Sequence, residues 1–298
     1  SRLMCYKGHF QMGLRSTIVH VAGALLLIVS TTEGPPVRAA AQSGQASSEE
    51  GIPVTSPLVR RACGECHEGD AQGRMTRISY QRTTPEGWQQ TIRRMVLLND
   101  LQIEPAEARE AVRYLANGHG LAPEEARAAA FEVERRLIDY RYAADRATEE
   151  TCTKCHSMGR VISQRRAREE WELLTAMHRG LYPLIDFQAF QRRGRAPAGE
   201  ADTRQPVEKA LDHLATAFPL MTPEWTAWSA TMRPPRLAGT WALVGHQLGK
   251  GPIYGEVIVT TRPGTSDEFE TRISYANPRT GETATRSGQS VVYTGFQW

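Results

Sequence analysis

The stretches Cys63-Gly64-Glu65-Cys66-His67 and Cys152-Thr153-Lys154-Cys155-His156 constrain this chain more than anything else in it. Each reads C-x-x-C-H, the pattern by which a polypeptide attaches haem covalently. Two cysteines three positions apart reach the two vinyl groups of one porphyrin and form thioethers. The adjoining histidine then meets the iron from the proximal side. Redox dithiols and zinc sites use similar spacings and are the competing readings. Two copies that take up every cysteine except Cys5 favour two covalent haem c groups. With those four cysteines committed, no disulfide framework is expected.

Residues 1–41 read as a signal peptide. Arg2, Lys7 and Arg15 give a basic start, IVHVAGALLLIV is the apolar run, and Arg38-Ala39-Ala40-Ala41-Gln42 offers a cleavage site after Ala41. An uncleaved anchor is the alternative, but His20 and Gly23 interrupt a run already short of the ~20 residues that span a bilayer. Cleavage near Ala41, a periplasmic location and no stable membrane span are therefore expected, which suits haem attachment outside the bacterial cytoplasm. The first residue is serine and Trp298 falls in a strand-like run, so the chain reads as a piece of a longer product with Met4 or Met12 as candidate starts. Net charge is +3, from 36 basic and 33 acidic residues, which gives no case for a nucleic acid or an acidic membrane as partner.

The 298 residues suffice for about two domains. Residues 42–54 are small and polar, a flexible N-terminus. Residues 55–147 form a first cytochrome c haem unit. A short helix over Pro57–Arg61 leads into Cys63, Thr84-Pro85-Glu86 starts a helix through Trp88, Ile92 and Met95, and Glu104-Pro105 starts another that Asn117-Gly118 closes. The run from Pro123 to Arg146 contains no glycine and predicts one long connecting helix. Residues 148–232 form a second haem unit, with an apolar segment at 180–190, a polar loop at 192–205, a helix over Val207–Ala217 and a short one from Thr222-Pro223-Glu224.

The two units repeat one another. Arg82, Glu86, Trp88 and Met95 have the same spacing as Arg165, Glu169, Trp171 and His178, and Tyr114-Leu115-Ala116 corresponds to His213-Leu214-Ala215. An electron-transfer haem needs a second axial donor, and Met95 and His178 share one repeat position. The expected ligand pairs are thus His67/Met95 and His156/His178, with Met177 the alternative to His178 and His119 the alternative to Met95. Methionine stabilises ferrous iron, so the first haem is expected to be the more oxidising. Arg82 and Arg165 are read either as partners of haem propionates or as solvated charges, and Trp88 and Trp171 as packing on a haem face. No catalytic constellation is found on this chain.

Met232-Arg233-Pro234-Pro235 halts the helical pattern. Beyond it, residues 237–298 alternate: Leu237–Val244, Ile253–Thr261, Glu268–Tyr275 and Ser290–Gln297 predict an antiparallel β domain, incomplete, with a turn at Asn277–Gly281. The loop GHQLGKG, with His246, lacks P-loop spacing and reads as a tight turn. The fold class is therefore α+β by separate domains: a mainly α-helical tandem di-haem cytochrome c domain followed by that β domain.

Two tandem C-x-x-C-H units followed by LAGTWALVGHQLGKGPIYGEV together resemble the α subunit of quinohaemoprotein amine dehydrogenase, over roughly residues 55–298. The resemblance implies a periplasmic heterotrimer that oxidises primary amines, with one bis-histidine and one histidine/methionine haem. It implies a cysteine tryptophylquinone on a separate small subunit, a β-propeller-type subunit, and an external cytochrome c or blue copper protein as acceptor. This chain would then be the electron-transfer subunit of an oxidoreductase. A di-haem peroxidase and a free-standing electron-transfer cytochrome are the rival readings.

Overall fold

The computed structural model describes residues 49–129, 142–196 and 198–298. The expected signal peptide, residues 42–48, and the middle of the expected helix Pro123–Arg146 lie outside the described residues. Among the described residues no helix is long and apolar enough to cross a membrane.

Residues 49–54 are tied down, contrary to the flexible terminus expected over 42–54. The N–H of Ile52 donates to the Ser79 carbonyl at 2.8 Å, that of Val54 to the Gly73 carbonyl at 2.9 Å, and Val54 is wholly buried. Valine has apolar surface to remove from water, and that outweighs the polar composition upstream.

Helix α1 (Pro57–Cys63) is capped by Ser56, whose hydroxyl accepts from the Val59 N–H, and its last turn delivers Cys63. After strand β1 (Gln81–Thr83), the Thr84 hydroxyl caps helix α2 (Pro85–Asn99), which runs through Trp88, Ile92 and Met95 as expected. Helix α3 (Pro105–Gly118) packs Ala111, Val112 and Leu115 onto α2. Helix α4 (Pro123–Arg127) is short, and here the expectation of one continuous helix fails. The chain turns at 128–129, and residues 142–145 are again non-helical before α5 (Arg146–Cys152). The break at the second site has a cause: the Asp145 carboxylate takes the Thr148 N–H at 2.6 Å and starts a new helix there.

The second repeat follows with α6 (Gly159–Ile162), strand β2 (Gln164–Arg166) and α7 (Arg168–Leu181). A π-helical turn over Asp186–Phe190, then α8 (Pro206–Ala217) and α9 (Pro223–Thr231) complete it. The apolar cores of the two repeats use corresponding residues. Met75, Ile78, Trp88, Ala111 and Leu115 are buried in the first; Met158, Val161, Trp171, Ala210 and Leu214 are buried in the second.

Strands β1 and β2 pair antiparallel, Gln81 with Arg166, Arg82 with Arg165 and Thr83 with Gln164. Exchanging each residue for its counterpart in the other repeat maps this set of pairs onto itself. A local two-fold axis therefore passes between Arg82 and Arg165.

After Met232 the chain forms a four-stranded antiparallel meander: β3 (Gly239–Gln247), β4 (Gly251–Thr261), β5 (Glu268–Ala276) and β6 (Thr283–Val291), in that order. GHQLGKG is the tight turn expected: Gln247 pairs with Gly251, and Gly249 takes φ 74°, a conformation glycine adopts without cost. The fourth strand lies earlier than the expected Ser290–Gln297. Thr294 and Gly295 have positive φ and turn the chain out of the sheet, while Thr283–Val291 is a largely exposed edge strand without the alternation a half-buried strand shows. This sheet is joined to the first repeat. Arg113 on α3 bonds the Asp267 carboxylate twice and Glu268 at 3.0 Å, and the Thr294 N–H donates to Asn117 Oδ1 at 2.7 Å.

Candidate functional site

Each C-x-x-C-H motif sits where a helix ends. Cys63 closes α1 and Cys152 closes α5, and in the first repeat the His67 N–H still bonds the Cys63 carbonyl at 2.9 Å, holding the motif in one compact turn. Cys63 and Cys152 are half-buried, and Cys66 and Cys155 are exposed. Burial pushes the Cys63 thiol up, and burial with the nearby Asp145 carboxylate pushes Cys152 up to about 12. Among the described residues, no group of three or more His, Cys, Asp or Glu side chains converges as a metal cluster.

The histidines share one feature. His67 Nδ1 bonds the Thr76 carbonyl at 3.0 Å, His156 Nδ1 the Ser157 carbonyl at 2.9 Å, and His178 Nδ1 the Leu174 carbonyl at 2.7 Å. A carbonyl can only accept, so each Nδ1 carries the proton and each Nε2 presents a lone pair. That tautomer, fixed by a backbone carbonyl, is the one iron-ligating histidines use. Burial also lowers the pKa of His67 and His156, which keeps both imidazoles neutral. His178 is near enough to His156 for its charge to oppose protonation there. These residues fit a haem at each motif.

Met95 and His178 lie at matching positions on α2 and α7, both half-buried, and Met177 is half-buried beside His178. His119 is placed differently. It is 1% exposed, stands edge-on to Trp88 at 6.2 Å, and its Nε2 faces the Ile52 carbonyl at 3.3 Å. Its own carbonyl accepts Trp88 Nε1–H at 2.9 Å, and the Phe218 carbonyl accepts Trp171 Nε1–H at 3.3 Å. His119 thus anchors a tryptophan in the core, as Phe218 does in the other repeat.

Arg82 and Arg165 are neither solvated nor free for a propionate, which corrects both expectations. Arg82 is wholly buried and forms a two-bond pair with Glu125, at 2.8 and 2.9 Å, besides donating to the carbonyls of Leu220 and Gly120. Arg165 Nε reaches the same carboxylate at 3.1 Å. Burial would raise the Glu125 pKa, but the bonds and charge of Arg82 and the charge of Arg165 hold this carboxyl below its usual range. One acidic side chain therefore joins the central arginines of both repeats. Sequence reading overlooks Glu125 because it lies far along the chain from both arginines. The dipeptide Gln-Arg at 81–82 and again at 164–165 is the signal that would have found the strand pair.

By fold and site this is a haem-binding protein built from two repeats, with a β-sheet domain attached. Two family models say which: "Quinohemoprotein amine dehydrogenase A, alpha subunit, haem binding" matches residues 54–220, and "Quinohemoprotein amine dehydrogenase, alpha subunit domain II" matches residues 234–298. The first alone spans more than half of the chain, and the chain belongs to the family of quinohemoprotein amine dehydrogenase α subunits. No individually curated protein matches it.

Proposed function

We propose that this chain is a periplasmic di-haem c-type cytochrome subunit. It passes electrons from a quinone on a partner subunit, reduced by primary amine oxidation, to an external cytochrome c or blue copper protein. Oxidising one amine with one water to an aldehyde and ammonia releases two electrons and two protons, and each haem would supply a one-electron carrier. The remaining work falls to the chain's own residues. Cys63, Cys66, Cys152 and Cys155 fix the groups covalently. His67 and His156 present neutral Nε2 donors, and Met95 and His178 would supply each group's second donor. The β1–β2 pair and the Arg82–Glu125–Arg165 bridge hold the two repeats at a constant separation, which tunnelling between carriers requires. The observation that carries this reading is the occurrence, in both repeats, of a C-x-x-C-H turn with its histidine Nδ1 anchored, followed by a helix bearing a competent ligand at one shared position.

The test is pyridine haemochrome quantitation and a ferric visible spectrum on protein exported with the haem-attachment machinery. Two covalent haems per chain are expected, with a weak long-wavelength methionine–iron band that Met95→Ala removes. Absence of covalent haem would refute the reading, and a high-spin signal in the resting protein would favour peroxidase chemistry instead.

A further inference from the structure

Two guanidinium groups share one carboxylate where the two repeats meet, and a third lies near both. Arg77 Nε lies 2.8 Å from Glu170 Oε2 on α7, and Arg166 Nη1 on β2 lies 3.7 Å from the same oxygen. Arg94 on α2 is close enough to both arginines for its charge to oppose theirs. No carboxylate among the described residues is ion-paired with Arg94, and its buried Nε has no hydrogen-bond partner. The Arg77–Glu170 contact is near but misaligned, so Arg77 Nε and Glu170 Oε2 also stay without one. Arg166 is buried and held in place by Gln164 Oε1 at 2.7 and 3.0 Å. Burial lowers it to about 10.

Arg77 and the buried Arg166 share the single charge of Glu170, and an excess of positive charge beside a buried group is costly unless something balances it. Arg77 adds a second mark: its φ is 68°, the left-handed region that a non-glycine residue seldom occupies and that collects at functional sites. The cluster has a definite address. Arg77 follows Thr76, whose carbonyl orients His67, and its charge opposes protonation of that histidine. Arg94 immediately precedes Met95. Arg77 and Arg94 are thus each one residue from a group assigned to one iron, the carbonyl that orients His67 and Met95 itself. In the other repeat the counterparts of Arg77, Arg94 and Arg166 are Arg160, Met177 and Thr83, so the cluster belongs to one site only.

We propose that Arg77, Arg94 and Arg166 form a carboxylate-binding site that takes the two propionates of the haem held by Cys63, Cys66 and His67. The proposal rests on the haem reading above. The charge count supports it: two propionates and Glu170 supply three carboxylates for three guanidinium groups. Guanidinium is the side chain best shaped for such pairing, since its planar fork gives two parallel N–H bonds to a carboxylate. Pairing of this kind offsets the propionates' negative charge, which otherwise favours the ferric state.

The experiment is a spectroelectrochemical titration of exported holo-protein carrying Arg94→Gln, Arg166→Gln or Arg94→Lys. Each glutamine variant is expected to lower the ferrous-to-ferric ratio of one haem about tenfold at fixed potential, about 59 mV for a one-electron couple, and to leave the other haem unchanged. Arg94→Lys should recover most of the shift, which a merely structural role would not predict. Two haems present with neither potential moved in both glutamine variants would overturn the proposal. So would a wild-type potential that follows added phosphate or acetate at constant ionic strength, because the site would then hold an exchangeable anion. Failure of the haem reading is separate, since it would show as missing covalent haem in the wild type.

Discussion

Glu125→Gln removes the one negative charge between Arg82 and Arg165 while keeping the side chain's size. In the wild type the carboxylate receives two bonds from Arg82, one at 2.8 Å from the Thr222 hydroxyl, one at 2.8 Å from the Ala122 N–H, and the close approach of Arg165. Arg82 and Glu125 side chains are 0% and 3% exposed, so solvent does not take over when the charge is lost. Breaking a buried pair from one side costs about 3–5 kcal/mol, because the partner's charge stays buried and uncompensated. At about 2–4 °C per kcal/mol for a protein of this size, the melting temperature should fall by on the order of 10 °C. The pH dependence follows from the sign of the shift. Glu125 titrates below an unfolded glutamate, so its stabilisation is fully present above about pH 4.3 and is lost as pH falls through its folded pKa. Thermal unfolding of holo-protein followed by circular dichroism should show the gap between wild type and Glu125→Gln closing in acid. Adding Arg165→Met to the variant should return part of the loss, since it removes one orphaned charge. A loss under about 1 kcal/mol at pH 7, or a gap that persists unchanged below pH 3, would refute the reasoning.

His119 is buried neutral, its pKa lowered to about 4 chiefly by burial, so stability should decline as pH falls from about 6.5 toward 4, by roughly 3 kcal/mol; urea midpoints for His119→Phe should lack that part of the slope. Trp88→Phe deletes the donor to the His119 carbonyl and should cost about 1–3 kcal/mol of unfolding free energy, with Trp171→Phe a parallel loss at the Phe218 carbonyl. A Cβ at Gly120 would lie 2.1 Å from the Ala116 carbonyl oxygen and 2.4 Å from Thr294 Cγ2. Gly120→Ala should therefore loosen the seam between α3 and the β domain, read as faster proteolysis after residue 232.

Much of this architecture is legible in the sequence where one local signal suffices. Thr84-Pro85-Glu86 marks the start of α2, and the turn residues Asn277–Gly281 mark the β5–β6 connection, because capping and turn chemistry act over a few residues. The tandem repeat is legible because its spacing survives through Arg82, Trp88 and Arg165, Trp171. Strands β1 and β2 escape notice since three residues carry too short a pattern to declare a strand. The fates of Arg82, Arg94 and Arg166 escape it too: their surroundings, Glu125 and Glu170 among them, are brought together by long-range folding, and nothing next to an arginine in sequence tells whether it is buried. Edge strand β6 is invisible for the opposite reason, as exposure on both faces removes the alternation that betrays a strand.

The pairing of β1 with β2 carries a consequence for how such a chain could arise. Because its register is unchanged when the repeats trade places, a single unit carrying the Gln-Arg-Thr strand could pair with a second copy of itself in the same way, arginine opposite arginine. Such a pair would be a symmetric dimer, and joining its two copies in one chain would leave the strand register unchanged. In the joined chain the halves need not match: Glu125 alone serves both central arginines, and Met95 stands where the other repeat carries His178, which gives a pair of like halves a direction.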